Sequence, residues 1–308
     1  MTATLSDREL ARERPYLMGI AYRMLGSTSD AEDVVQEALV RAAAASELRT
    51  PRAFLTTVVT RLCLDELGRA RRRRESYVGP SMPEPVPTDD FDADELEQRE
   101  SVTLALLLVL EELSPLERAV FVLRDVFDLE FAEIAQAIER SEPACRKLLS
   151  RARARVQHAE LRRPAPSAEQ RAVAHAFFSA VASGDLAALV SVLSDEVTLS
   201  TDHGGKASAA RQTLHGPDHV GRFLCGLYAK GQRGFSGYSV TPLLLNGAAA
   251  VALRNADGHV EASFTLEISV TPAGARVTAV RAMRNPDKLR GLTRALQEGL
   301  QLSTRCES

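Results

Sequence analysis

Tryptophan is absent from this 308-residue sequence, and no apolar run approaches the length that crosses a bilayer. Met1 to Ala11 lacks the apolar segment of a secretory signal, so a soluble, cytoplasmic protein is expected. Cysteine is scarce as well. Cys63, Cys145, Cys225 and Cys306 stand far apart, with no paired spacing that suggests a zinc cage or a disulfide framework. Free thiols are the expectation, and no metal or other cofactor is implied. A strong excess of one charge is also missing: the formal net charge is -3, which argues against a general nucleic-acid sponge, because non-specific binding is mostly phosphate neutralisation. What remains is a chain long enough for two or three domains, each able to bury its own core.

The near-neutral average hides segregation. Arg61, Arg69, Arg71, Arg72, Arg73 and Arg74 face only Asp65 and Glu66 in their stretch, whereas Glu84, Asp89, Asp90, Asp92, Asp94, Glu95, Glu97 and Glu100 face only Arg99 in theirs. Gly79 to Asp94, with Pro80, Pro83, Pro85 and Pro87, reads as a linker rather than regular structure. Its acidity suits a soluble tether, or a strand mimic that threads a basic channel.

Leu113 to Val156 says most about what the molecule touches. Ser114-Pro115-Leu116-Glu117 is a capping box with proline at the first helical position, and Leu116, Ala119, Val120 and Leu123 form the buried side of that helix. Phe131 to Ile138 is a second short helix, Glu139-Arg140-Ser141 a turn, and Ser141 the cap of a third helix. At about 100° per residue, Cys145, Leu148, Leu149, Ala152 and Val156 fall on one arc of that last helix. Arg146, Lys147, Ser150, Arg153 and Ala154 fall opposite, with Arg151 and Arg155 on the borders. A basic, hydroxyl-bearing face after a short helix and a tight turn is the pattern of a helix-turn-helix whose recognition helix enters the major groove.

Upstream, Tyr16 to Leu25 is an apolar helical stretch broken at Gly26-Ser27-Thr28-Ser29. Asp30 to Leu39 starts the next helix, with Ser29 and Glu32 in capping-box register. Val34, Val35, Ala38 and Leu39 face inward, and Asp33, Gln36 and Glu37 outward. Thr50-Pro51 opens a third helix through Phe54, Leu55, Val58, Val59, Leu62 and Cys63.

Downstream, Pro164-Ala165-Pro166-Ser167 marks a boundary. Arg171 to Val181, Asp185 to Leu193 and Asp218 to Tyr228 read as helices, with a short strand at Val197 to Ser200. Tyr238 to Leu245, Ala248 to Arg254, His259 to Val270 and Arg276 to Arg281 follow as strands, with turns at Asn246-Gly247, Asp257-Gly258 and Ala273-Gly274. Helices followed by an antiparallel run make an α+β domain, and a curved sheet around helices usually leaves a cavity. Asp202, His203, His215 and His219 are candidate acid and base groups for such a cavity, which keeps an enzymatic reading open beside the DNA-binding ones.

Asp30-Ala31-Glu32-Asp33-Val34-Val35-Gln36-Glu37, Pro51-Arg52-Ala53-Phe54-Leu55, Asp65 before the Arg cluster, and Leu113-Ser114-Pro115-Leu116-Glu117-Arg118 occur in the order and spacing of one family. From Arg8 to Arg163 the sequence resembles a bacterial sigma factor of the extracytoplasmic-function group. Its C-terminal part resembles the SnoaL-like, nuclear-transport-factor-type cone that one subgroup of these factors carries. That subgroup has a Trp-Leu-Pro-Glu-Pro linker motif, an Asp-Gly-Gly-Gly-Lys loop and an Asn-Pro-Asp-Lys-Leu motif. Here Asn285-Pro286-Asp287-Lys288-Leu289 matches fully, Asp202-His203-Gly204-Gly205-Lys206 carries His in place of one Gly, and Ser81-Met82-Pro83-Glu84-Pro85 has no Trp.

The resemblance implies a multidomain chain: two all-α sigma domains, the second a helix-turn-helix, followed by an α+β SnoaL-like cone. The implied segments are 8–78 for polymerase binding and the downstream promoter element, 79–101 for the linker, 102–163 for the upstream element, 167–289 for the cone and 290–308 for a tail, expected to be an extra helix. It implies core RNA polymerase, through its clamp and flap, and promoter DNA as partners, with no membrane and no separate anti-sigma factor. Asp30, Glu32, Asp33, Gln36 and Glu37 match the clamp-docking segment. Thr57, Thr60 and Arg61, placed near the outward side of their helix, are candidates for capturing a flipped base. Arg146, Lys147, Ser150 and Arg151 are candidates for the upstream element. Asp202, Gly204, Gly205, Lys206, Asn285, Pro286, Asp287 and Lys288 are candidates for regulatory contacts, with Lys206, Asp287 and Lys288 offered as interdomain ion pairs. A cone that binds or turns over a small molecule, and a stand-alone repressor, are the rival readings.

Overall fold

A computed structural model describes residues 7–45, 50–74, 77–88, 104–159, 167–208, 210, 212–234 and 238–299. By packing, the chain divides into two units: Met1–Ser76 with Leu106–Glu160, and Tyr77–Ala105 with Leu161–Ser308.

The first unit is helical. In α1 (Asp7–Leu25), Leu17, Ile20, Ala21 and Met24 recur at three- and four-residue steps and are wholly buried, the spacing that lines one helix face. The helix stops where Gly26 adopts a left-handed φ of 69° and returns its N–H to Tyr22 O at 2.7 Å. Ser27, not Ser29, caps α2 (Thr28–Ala44): its hydroxyl accepts from Asp30 N–H at 3.1 Å, so the helix begins before the expected box. Ala31, Val34, Val35, Ala38 and Ala42 form its buried side. α3 (Pro51–Arg74) buries Leu55, Val59, Cys63 and Leu67, and also Thr56 and Thr60. Side chains of residues 70–74 lie outside the described residues, as do residues 89–103, which hold most of the acidic linker.

After α4 (Leu104–Glu112), the capping box of α5 (Pro115–Phe121) forms as its sequence expects, with Ser114 and Glu117 bonded reciprocally. A π turn over Val122–Val126 leads to α6 (Phe131–Ile138), which ends on Glu139 at a left-handed φ of 54°, and α7 (Glu142–Ala159) follows. Cys145, Leu148, Leu149, Ala152 and Val156 are all buried, so the inward arc is the one that helical stepping assigns.

In the second unit, helices α8 (Ser167–Ser183) and α9 (Leu186–Val192) precede the sheet. β1 (Leu193–Asp202), β2 (Leu214–His215), α10 (Pro217–Gly234), β3 (Ser239–Leu245), β4 (Ala248–Arg254), β5 (Val260–Thr271) and β6 (Gly274–Met283) follow. The sheet order is β2-β1-β6-β5-β4-β3, with β3 to β6 antiparallel as expected and β1 joined parallel to β6. One face takes Phe177, Leu189, Val220 and Leu224 from the helices against Val251, Phe264, Leu266 and Val280. Residues of alternate parity on β4, Ala250 and Ala252, face the other side with Leu243, Leu245 and Met283. That side is covered by Met82 and by Leu289 and Leu292, the latter from α11 (Arg290–Gln297), which provides part of the expected tail helix. Residues 300–308 lie outside the described residues.

The segment 77–88 therefore belongs to the second unit's fold. Asn246 holds it: the buried Asn246 accepts from Val86 N–H through Oδ1 at 3.0 Å, donates its own N–H to Val86 O at 2.9 Å, and reaches Glu84 O through Nδ2 at 3.3 Å. Thr88 N–H adds a bond to Leu244 O at 3.1 Å, and Pro87 bridges Leu245 antiparallel. Among the described residues no helix is long and apolar enough to cross a membrane, and no three His, Cys, Asp or Glu side chains group to hold a metal ion.

Candidate nucleic-acid interface

α7 presents Arg146, Lys147, Ser150, Arg151, Arg153, Ala154 and Arg155 to solvent. Its arginines are braced by carboxylates. Arg146 lies 3.0 Å from Glu142 Oε2, one turn back, and its guanidinium carbon sits 4.1 Å from the centroid of the Phe131 ring. Arg153 makes two bonds to the Asp125 carboxylate, at 2.8 and 2.6 Å. Arg151 and Arg155 both pair with Glu117, at 3.3 and 3.0 Å. Glu117 is buried, which favours its neutral form, but hydrogen bonds from Ser114 and the charges of Arg155 and Arg151 outweigh burial and hold its carboxyl below the usual range. Lys147 and Ser150 stand on the same exposed face.

Helical stepping identified this face but not its bracing. Phe131, Asp125 and Glu117 lie outside the helix they support, and no spacing rule links them to it. Arg153, outward by helical stepping, carries no site role in that pattern yet is the arginine bonded twice to Asp125.

The α3 candidates divide. Thr57 is half-buried and its hydroxyl bonds Ala53 O at 3.0 Å. Thr60 corrects the expectation of an outward residue: it is 0% exposed. The reason is that α3 packs against α1 and α2 on one side and against α5 and α6 on another, so two faces are covered where stepping allows for one. Arg61 is exposed yet engaged, its Nε donating to Ala137 O at 3.1 Å and Nη2 to Gln136 O at 3.0 Å, with Glu139 3.2 Å away. It sits on the carbonyl end of α6, where the helix dipole favours a cation. A second arginine ties the same parts together: Arg118, 2% exposed, donates to Met24 O at 2.7 Å, at the end of α1. Phe127 adds an edge-to-face contact with Tyr16 at 5.2 Å, and the lack of a side chain at Gly19 leaves room for its ring. On α2, Glu32, Asp33, Gln36 and Glu37 are exposed, Glu37 pairing with Arg41 at 2.8 Å, and Asp30 is half-buried in the first turn.

In the second unit Asp202 is the hub. Fully buried, it accepts from Tyr77 OH through one oxygen, and from Met82 N–H at 2.9 Å and Lys288 Nζ at 2.8 Å through the other. Lys288 also donates to Met82 O at 2.6 Å and Ser81 Oγ at 3.0 Å. Asn285, buried, donates to Tyr77 OH at 2.9 Å and accepts from Asp287 N–H at 3.1 Å, while Pro286 is exposed. Burial, together with the bond to Asp202, pushes the Tyr77 hydroxyl well above the usual range. Lys206 and Asp287, offered as interdomain partners, instead pair with each other between two loops of this unit, and Lys288 pairs with Asp202. The ammonium of Lys206 holds the Asp287 carboxyl below the usual range. Gly204 and Gly205 have φ of 54° and 73°; a Cβ on Gly204 would lie 2.5 Å from Asn285 Nδ2.

The proposed acid and base groups do not gather in an apolar pocket. His215 and His219 are exposed, whereas Asp202 and His203 are buried at the end of β1 beneath residues 77–82, with Gly205 N–H donating to His203 Nδ1 at 3.1 Å. The space between the helices and the sheet is occupied by Phe177, Leu189, Leu224 and Phe264.

The family model for Sigma-70 region 2 matches residues 10–73, and that for Sigma-70 region 4 matches 103–156. The ECF RNA polymerase sigma factor SigJ of Mycobacterium tuberculosis is 39% identical over 285 residues, covering 90% of this chain and 91% of that one. The chain belongs to the extracytoplasmic-function sigma factors. The probable ECF sigma factor SigI of the same species is 37% identical over 194 residues, covering 61% of this chain and 67% of that protein. The crystal structure of M. tuberculosis SigJ superposes with a TM-score of 0.71 at 36% identity, over 93% of this chain and 99% of that chain. As a sigma factor the protein directs RNA polymerase to promoters and initiates transcription there. Its helical sigma domains are followed by a C-terminal α+β domain, and the SigJ structure superposes over both.

Proposed function

We propose that this sigma factor docks on core polymerase through Asp30, Glu32, Asp33, Gln36 and Glu37, reads the upstream element through Arg146, Lys147, Ser150 and Arg151, and opens the downstream element through the α3 segment, with the SnoaL-like unit modulating activity in cis. Segments 8–78 and 102–163 are then the two promoter-reading domains, 79–101 their linker, 167–289 the modulating domain and 290–308 its tail. The observation that carries this reading is the face of α7, basic outside and wholly apolar inside. Such a helix fits the major groove, where arginine pairs with guanine edges. Exposed carboxylates on α2 suit a basic docking surface.

Two further observations support regulation within the chain. With Arg61 on the end of α6, the candidate melting segment and the helix-turn-helix hold one another. Two elements read along one duplex lie about one helical turn or more apart, roughly 34 Å, so this contact opens before both are engaged. Residues 77–88, which connect the two promoter-reading parts, are strapped to the second unit, so that unit governs their reach and stands in for a separate anti-sigma protein.

Transcription in vitro with core polymerase over a promoter library tests both parts. Arg146→Ala should relax preference at one upstream base pair by about 1–3 kcal/mol, and an unchanged profile rejects that assignment. Full-length protein should differ in yield from a chain ending near Leu161; equal yields reject modulation in cis.

A further inference from the structure

Arg146 is held before any DNA arrives, and the ring its guanidinium lies over comes from another helix. Phe131 is the first residue of α6, set by the Glu133 carboxylate, which accepts from Glu130 N–H at 3.0 Å. Its ring lies 4.1 Å from the Arg146 guanidinium carbon and 5.3 Å from that of Arg124, which is itself fixed by a 2.7 Å bond to Leu129 O. The ring is only half-buried. The core of α6 is built instead from Ile134, Ala137 and Ile138, so packing alone does not explain an aromatic at this position. A ring under a guanidinium leaves its N–H edge available for hydrogen bonds, and that edge is what pairs with guanine O6 and N7; here one of its nitrogens, Nη2, donates to Glu142 Oε2 at 3.0 Å, and the other donors remain for a base. That Glu142 contact, one turn back on the same helix, fixes the guanidinium further. An arginine held this way loses little further freedom on binding, and a base that cannot use its fixed donors is penalised more.

We infer that Phe131 is a positioning residue: touching no base, it aims Arg146 at the upstream element and so sets how sharply the base pair under Arg146 is discriminated. The inference rests on Arg146 reading that element. Its test uses the full chain with core polymerase and a set of promoters carrying every single substitution in the upstream element, comparing Phe131→Leu, Phe131→Tyr, Arg146→Ala and the Phe131→Leu/Arg146→Ala double variant. Arg146→Ala locates the base pair. Phe131→Leu should lower discrimination at that pair alone by about 2- to 5-fold, the size of an exposed cation–π contact. Phe131→Tyr should retain it, and Phe131→Leu should change nothing further once Arg146 is gone. If Arg146→Ala relaxes one pair while Phe131→Leu leaves it sharp, or lowers transcription equally from all promoters, the positioning role is overturned and the reading of Arg146 survives. If Arg146→Ala relaxes no pair, the reading itself fails and the inference falls with it.

Discussion

Replacing Lys288 by methionine keeps the aliphatic stem and removes only the ammonium, which isolates the charge that closes the linker strap. Asp202 is wholly buried and accepts from Tyr77, Met82 N–H and Lys288; without Lys288 its carboxylate keeps two donors and loses its counter-charge. Removing one member of a fully buried pair costs about 3–5 kcal/mol. Lys288 retains 18% exposure and the other two donors remain, so the expected cost is about 2–3 kcal/mol. For a unit of this size that is a melting shift of roughly 5–10 °C. Urea denaturation measures the cost, and hydrogen exchange locates it: the amides of Met82, Val86 and Thr88, bonded to Asp202, Asn246 and Leu244, should lose protection. Asp202→Asn combined with Lys288→Met should cost less than the sum of the two single changes by about 1 kcal/mol or more, because neutrality is restored. A cost below about 0.5 kcal/mol, with the Met82 amide as protected as before, means that the strap holds without its ion pair and refutes the reasoning.

Gly204→Ala forces a left-handed φ on alanine and drives its Cβ to 2.5 Å from Asn285 Nδ2, so it should cost about 2–3 kcal/mol in urea titration. Gly184→Ala, at φ 70° with open space around it, should cost only about 1 kcal/mol, and equal costs would exclude the clash as the cause. Glu139→Ala loosens Arg61 from the helix-turn-helix and should raise open-complex formation up to about 2-fold, as expected for an exposed pair, whereas Arg61→Ala should lower it; a fall with Glu139→Ala contradicts the holding contact. Glu117 has a folded-state pKa below its ordinary 4.5, so its stabilisation is present above that pH and is lost as pH falls through 4.5 and below. Melting curves taken from about pH 6 down to pH 3 should fall less steeply for Glu117→Gln than for the native chain, and parallel curves would remove Glu117 from the account.

Local rules sufficed where one residue's neighbours along the chain decide its environment. The Ser114–Glu117 box closes within a single turn, and the apolar arc of α7 follows from helical pitch. The same kind of reasoning misplaced the start of α2, because Ser27 and Ser29 both stand near its first turn and only the backbone conformation at Ser27 selects between them. It also placed Thr60 outward, because it allowed α3 one packed face and the fold covers two.

By itself, then, the order of residues determined the helical periods, the turns and the succession of motifs that mark a sigma factor, all of them properties of short windows of chain. Only the tertiary structure decided that Asn246, legible as a hairpin turn, also anchors residues 84–86, that Asp202 meets Tyr77 and Lys288, and that Arg61 rests on the end of α6. Those contacts join residues separated by 76 to 162 positions, and a hydrogen bond depends on distance in space, to which spacing along a chain is blind.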